Sequence, residues 1–231
     1  MMIKSSDQDN FWLHISDMMS GLMMIFLFIS ISYMLQVFYE KNKIQDIALT
    51  YQRVQKTLYD SLYNEFKYDL KKWDAEIDDK TLSVRFKSPD ILFKTGSDLL
   101  EPRFIEILND FFPRYVDVLI DEQFRNEIEE IRIEGHTSSE WSENVLEDIA
   151  YFKNMKLSQD RTRRVLEFVI SLENIKNHKE WIKKLITANG LSSSKLIKIN
   201  GIENKEKSRR VEFRIRAKAE EKILKIIEGS F

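Results

Sequence analysis

The sequence predicts an α/β (α+β) domain with a mixed sheet, preceded by one transmembrane helix and a helical stalk. Three observations predict this. Residues 18–38 carry no charge. Between residues 44 and 70, apolar residues recur at helical spacing, uninterrupted by proline or glycine. From residue 82 onward, segments with strand alternation follow segments with helical periodicity, the pattern of a layered α/β domain.

The uncharged run comes first. An α-helix of about 21 residues spans roughly 30 Å, the thickness of a bilayer core. The run is too long for a signal-peptide core, and no A-x-A-like cleavage pattern follows it. A retained transmembrane helix over residues 15–39 is therefore expected, after a short N-terminus of residues 1–14. Phe11 and Trp12 precede the run, and Phe38 and Tyr39 close it. Aromatics at both ends match an interfacial belt. The flank MMIKSSDQDN has one lysine against two aspartates, and the flank EKNK has two lysines against one glutamate. A positive-inside count alone weakly favours the C-terminal side in the cytoplasm.

One acid stands at the start of this helix. Asp17 has two readings. It is an interfacial helix-start residue, with Ser16 or Asp17 as N-cap, or it is an ionisable group inside the membrane zone. Apolar Trp12, Leu13 and Ile15 lie before it. Helical spacing puts Ser20, Gly21 and Met24 on its face, and small residues on a face admit a neighbouring helix. An intramembrane acid costs about 2.5–3.5 kcal/mol at a helix centre and is a functional-site candidate by default. His14 reads as interfacial.

Residues 40–78 read as a helical linker. Ile44, Ile47, Tyr51, Val54 and Leu58 alternate steps of three and four, a coiled-coil seam. Leu62, Phe66 and Leu70 follow in steps of four, which suits packing on a globular core. An amphipathic helix on a monomer and a parallel two-stranded stalk both fit. The second makes the protein a homodimer and brings two copies of Asp17 together.

Residues 79–231 form the predicted domain. Residues 82–87 and 128–134 read as strands. Residues 99–120 read as a helix broken or bent near Pro113, and 157–172 as an amphipathic helix. Residues 178–188 read as a helix stopped by Gly190. Residues 195–200 and 209–217 read as a closing hairpin-like pair of strands, and 219–227 as a terminal helix.

Composition narrows the function. The 231 residues carry a net charge of −2 and no cysteine. General nucleic-acid binding needs a basic face, so no direct nucleic-acid partner is expected. Disulfides, cysteine-ligated zinc and thiol nucleophiles are ruled out. No Gly-rich phosphate loop, Ser-His-Asp arrangement or zincin motif is present, so neither enzyme activity nor a cofactor is expected. Only three histidines occur, and without a spaced partner His136 reads as structural rather than as a metal ligand.

The stretch Ser16-Asp17-Met18-Met19-Ser20-Gly21-Leu22-Met23-Met24, with Trp12 before it, resembles the B subunits of ion-driven stator motors. The flagellar MotB family has a tryptophan, then an aspartate element and a run of Met and Phe. The wording here is closer to the B subunits of the Zorya anti-phage defence system. Asp17 takes the place of the ion-carrying aspartate, and Ser20 that of the hydroxyl one turn later. The short N-terminus, with one lysine in its first ten residues, is unlike the basic tails of flagellar relatives.

Four further pieces resemble the OmpA-like peptidoglycan-binding family, in its order. They are Phe93-Lys94-Thr95-Gly96-Ser97, Ile133-Glu134-Gly135-His136-Thr137, Asn154-Met155-Lys156-Leu157-Ser158-Gln159-Asp160-Arg161-Thr162, and Ser208-Arg209-Arg210-Val211-Glu212-Phe213. The resemblance implies that Thr137, Ser138, Asn154, Leu157 and Arg161 line a groove for the wall's stem peptide, with Arg161 on a carboxylate. Ser138 departs from the family's usual aspartate, which pairs with the ammonium of diaminopimelate. One of Glu140, Glu143, Glu147 and Asp148, in the insertion over residues 139–152, is a candidate substitute. Arg209 and Arg210 are expected to pair with acids and support the groove, and Trp141 is either core or a sugar platform.

Together the resemblances imply a single-pass subunit of the bacterial inner membrane, with a cytoplasmic N-terminus and a periplasmic domain. They imply a dimer inside a ring of five MotA-like partner subunits. They also imply a proton or sodium ion as cargo, peptidoglycan as anchor, and cytoplasmic defence effectors as indirect partners. A flagellar stator and a passive wall tether are the alternatives, and the tether has no need of Asp17.

Overall fold

The computed structural model describes residues 6–218, apart from 88, 95, 143 and 144, and places the side chains from residue 11 onward except 89 and 90. The chain divides into two compact units, Met1–Leu49 and Thr50–Phe231.

The first unit is helical. Helix α1 (Ser6–Phe66) begins there, and its N-terminal part is long and apolar enough to cross a membrane. Its large apolar side chains from Phe11 to Tyr39, half-buried Ile15 apart, stay exposed in the single chain. Asp17 is the twelfth residue of the helix, about three turns inside it. The N-cap reading of Asp17 or Ser16 is thereby corrected: the polar run Ser6 to Asn10 already continues as helix.

The second unit starts within the C-terminal part of α1. Leu58, Leu62 and Phe66 are completely buried, so their steps of four do mark a helix packed on a core. The helix stops at Phe66. Turns follow to Asp74, which adopts φ +47°, and strand β1 (Ala75–Asp78) comes next. The expected helical linker to residue 78 is corrected here: the sheet begins inside it. Glu76 and Asp78 on β1 both pair with Arg85 on β2 (Ser83–Phe86), at 2.8 and 3.3 Å. Those acids look helical in sequence but serve the strand pair.

The remaining elements are α2 (Pro89–Leu92), α3 (Pro102–Leu119), α4 (Glu122–Arg125), β3 (Ile128–His136) and α5 (Glu147–Ser171). A 3-10 turn over Glu173–His178, α6 (Lys179–Leu185), β4 (Ile186–Gly190), β5 (Lys198–Ile199), β6 (Ile202–Glu203), α7 (Lys205–Ser208) and β7 (Arg210–Ala217) complete it. The main sheet has the order β1-β2-β7-β3-β4. Only β3 and β4 run parallel, so the sheet is mixed, as expected.

Several boundaries differ from expectation. Helix α3 passes through Pro113 without a break. Phe111, Phe112, Tyr115 and Val116 around it are buried, and that packing offsets the lost backbone bond. Residues 186–188, expected as helix, are strand: Ile186 and Thr187 are β-branched, and the segment pairs with Ile131–Gly135 of β3. The expected closing pair is also replaced. Strand β5 turns back on β6 through Asn200 (φ +52°) and Gly201 (φ +82°), the Asn-Gly hairpin signal. Strand β7 sits in the middle of the sheet instead. The expected helix over 219–227 lies outside the described residues.

Candidate functional site: a cleft between strand β3 and helix α5

Two glycines set the geometry. Gly135 on β3 and Gly190 on β4 are register partners. A Cβ on Gly135 would lie 2.7 Å from Thr162 Cγ2, and one on Gly190 only 2.3 Å from the backbone nitrogen of Gln159. Only glycine lets α5 press this closely on the strand ends. Around that contact, Asn154, Leu157 and Arg161 recur at i, i+3 and i+7 on one helix face, beside the residues that leave β3.

The result is a cleft of about 180 Å³. Thr137, Ser138, Asn154, Leu157 and Arg161 all line it, with Phe93, Gly96, Glu140, Trp141 and Arg209. The structure thus brings together the five domain residues singled out from sequence. Asp17 and Ser20 lie on α1 in the other unit and are not part of it.

The walls are rigid. Thr137 and Ser138 are buried, and Thr137 N donates to Ser192 O at 2.9 Å. Asn154 Nδ2 donates to the carbonyls of Ser138 (3.1 Å) and Glu140 (3.2 Å), so it shapes the loop. Arg161 Nε donates to Ser97 O at 2.8 Å, and the guanidinium lies 4.7 Å above the Phe93 ring. The Phe93–Ser97 piece is therefore the seat of Arg161. Burial, joined by the charge of Arg209 and opposed by Asp98, pushes Arg161 down to about 10. Among the described residues no carboxylate lies within 4 Å of Arg161. Thr137 Oγ1 is buried with no hydrogen-bond partner.

The insertion supplies less than expected. Glu140 does line the cleft, but Lys205 Nζ holds its carboxylate at 2.7 Å. Glu147 and Asp148 are exposed in the first turn of α5 and do not line it, and Glu143 lies outside the described residues. Ser139 binds the Glu203 carboxylate of β6 through its N–H at 3.0 Å and its hydroxyl at 2.5 Å, tying the loop to the hairpin. Trp141 is half-buried with Lys153 Nζ 5.7 Å from its ring.

Arg209 corrects the expectation that both tandem arginines pair with acids. Arg210 does so, through Glu212 on its own face of the strand. Arg209 is exposed and opens on the cleft. Strand alternation was the signal: Arg210 and Glu212 are two apart, so Arg209 faces away from them.

Behind the cleft lies a second charged centre. Glu134, His136 and Glu212 bring ligand-type atoms within 4.8 Å of one another, all buried. Arg85 and Arg210 both donate to Oε1 of Glu212, so that oxygen is taken by guanidiniums rather than offered to a cation. Burial would raise the Glu212 carboxyl, but Arg210 and Arg85 hold it down at about 2. Burial also lowers the His136 imidazole, against the pull of Glu134.

The mixed sheet whose Gly-His-Thr strand end faces an Asn-x-x-Leu-x-x-x-Arg helix has a MotB-like fold. In fold it is similar to the putative MotB-like protein from Desulfovibrio vulgaris (TM-score 0.51, 22% identity, 72% of this chain and 96% of that one). The cell wall anchor of the type VI secretion system from Pseudomonas aeruginosa also aligns, at TM-score 0.46 and 21% identity, covering 68% of this chain and 97% of that one. No protein-family model matches the chain. Over 228 residues, however, the chain is 50% identical to Zorya protein ZorB of Escherichia coli strain Crooks, covering 98% of this chain and 96% of that protein. The chain belongs to the ZorB family.

Proposed function

We propose that this protein is the wall-anchored stator subunit of an ion-driven membrane motor acting in anti-phage defence. The helix within residues 15–39 crosses the inner membrane once, with the N-terminus in the cytoplasm. Two copies stand inside a ring of five MotA-like subunits. Asp17 accepts and releases a proton, and Ser20 one turn on lines the same path. A neutral acid enters a low-dielectric interface cheaply, whereas an ionised one seeks the polar path. Each proton crossing 100 mV releases about 2.3 kcal/mol, which drives the ring around the dimer. The cleft holds the dimer still on peptidoglycan, and rotation passes a signal to cytoplasmic effectors.

The observation that carries this reading is a pair of placements: Asp17 inside a helix long and apolar enough to cross a membrane, and the five residues assigned to wall binding lining one cleft. The test is phage plating on cells carrying the complete system, with Asp17→Asn and Arg161→Ala compared with wild type at equal expression and assembly. Both variants are expected to lose protection. Protection that survives Asp17→Asn would sink the motor and leave a passive tether.

A further inference from the structure

Two neighbouring arginines on one strand have opposite surroundings. Arg210 is buried against Glu212. Arg209 lines the cleft and, like Arg161, has no carboxylate within 4 Å among the described residues. The cleft therefore holds two guanidiniums that repel each other, which adds to burial in lowering Arg161. The acids nearby are engaged elsewhere: Asp98 accepts from Arg164 at 3.3 Å, and Glu140 is held by Lys205. The opposite wall offers neutral hydroxyls, Ser138 and the unpartnered Thr137 Oγ1. Among the described residues anion-binding groups are in surplus, and no uncommitted carboxylate faces them.

We infer that the cleft takes a ligand carrying two carboxylates, one at Arg161 and one at Arg209, and does not require a free ammonium group on it. This rests on the peptidoglycan reading above and narrows its substrate. A stem peptide ending in a diamino dicarboxylic acid fits when its distal amine is acylated, as in a cross-link, as well as when that amine is free. Arg209 is then a specificity residue. A guanidinium that meets a carboxylate makes a charge-assisted, bidentate contact, whereas the Ser138 hydroxyl makes only a neutral one to an amine or an amide.

The test is calorimetric titration of the full-length protein in detergent micelles with three synthetic tripeptides ending in diaminopimelate. One is unmodified, one is acetylated on the distal amine, and one is amidated on the distal carboxyl. Acetylation is expected to change affinity by less than about twofold, and amidation to weaken it by about tenfold or more, the scale of a lost charged hydrogen bond. Arg209→Gln should cause a similar loss with the unmodified peptide, and Ser138→Asp should create a preference for the free amine. Acetylation weakening wild-type binding tenfold overturns the inference, and a matching loss in Glu140→Gln would then name the amine's partner. If no tripeptide binds but purified sacculi still sediment the protein, the inference fails while wall anchoring stands. If sacculi do not sediment it, both fail.

Discussion

The second unit contains two arginine centres a few residues apart, and they are built on opposite terms. In the inner one, Arg85 and Arg210 share the Glu212 carboxylate, with His136 packed 3.8 Å from it and every side chain largely buried. In the outer one, Arg161 and Arg209 face a cleft with no acid among the described residues partnering either. A buried charge without a partner is costly, so the inner centre is closed by the chain itself. The outer centre is open to the cleft. On the proposed function, the difference separates residues that hold the sheet from residues available to a ligand.

The strongest way to break that comparison is to open the inner centre. Glu212→Ala takes the carboxylate from buried Arg210 and leaves Arg85 to Glu76 and Asp78, and a broken buried pair costs about 3–5 kcal/mol. Urea denaturation followed by tryptophan fluorescence reads it, since Trp73 lies in the core. A loss below about 1 kcal/mol would mean that the arginines find other partners and that the centre is not structural.

Acid tests the same centre without mutation. The Glu212 carboxyl sits at about 2 in the folded chain, against an ordinary value of 4.5. A depressed folded value means that its stabilisation is full above about pH 4.5 and is lost as pH falls toward 2. The urea midpoint should therefore drop through that window, and Glu212→Gln should flatten the drop. An unchanged slope in the variant would assign the acid sensitivity to other carboxylates.

Much of this arrangement was legible in the chain. The family resemblance put Asn154, Leu157 and Arg161 at one groove, although the helix expected over 157–172 begins ten residues earlier, at Glu147, and the strand expected over 128–134 does lead into Gly-His-Thr. Other features depended on partners far away in sequence. Strand β1 has only four residues, two of them acids whose meaning comes from Arg85. Strand β4 read as helix because its pairing partner β3 lies fifty-five residues upstream, from Ile186 to Ile131. The Asn200-Gly201 turn was present in the sequence as a hairpin signal, yet residues 195–200 were paired with 209–217. Local periodicity carried more weight there than turn chemistry.

The smallest expected effect sharpens the comparison most. Arg161→Ala removes the bond to Ser97 O, a longer one to Lys94 O (3.4 Å) and the stacking on Phe93, and relieves repulsion from Arg209. A neutral-carbonyl hydrogen bond contributes about 1 kcal/mol, the longer one adds less, and the relief of repulsion subtracts from that loss. Folding stability should thus fall by about 1 kcal/mol or less, while sedimentation with purified sacculi is lost. Stability and binding would then separate cleanly between the two centres: Glu212 governs the first, Arg161 the second. If Arg161→Ala unfolds the domain as readily as Glu212→Ala, the cleft arginine is structural too, and its missing acid partner would no longer point to a ligand.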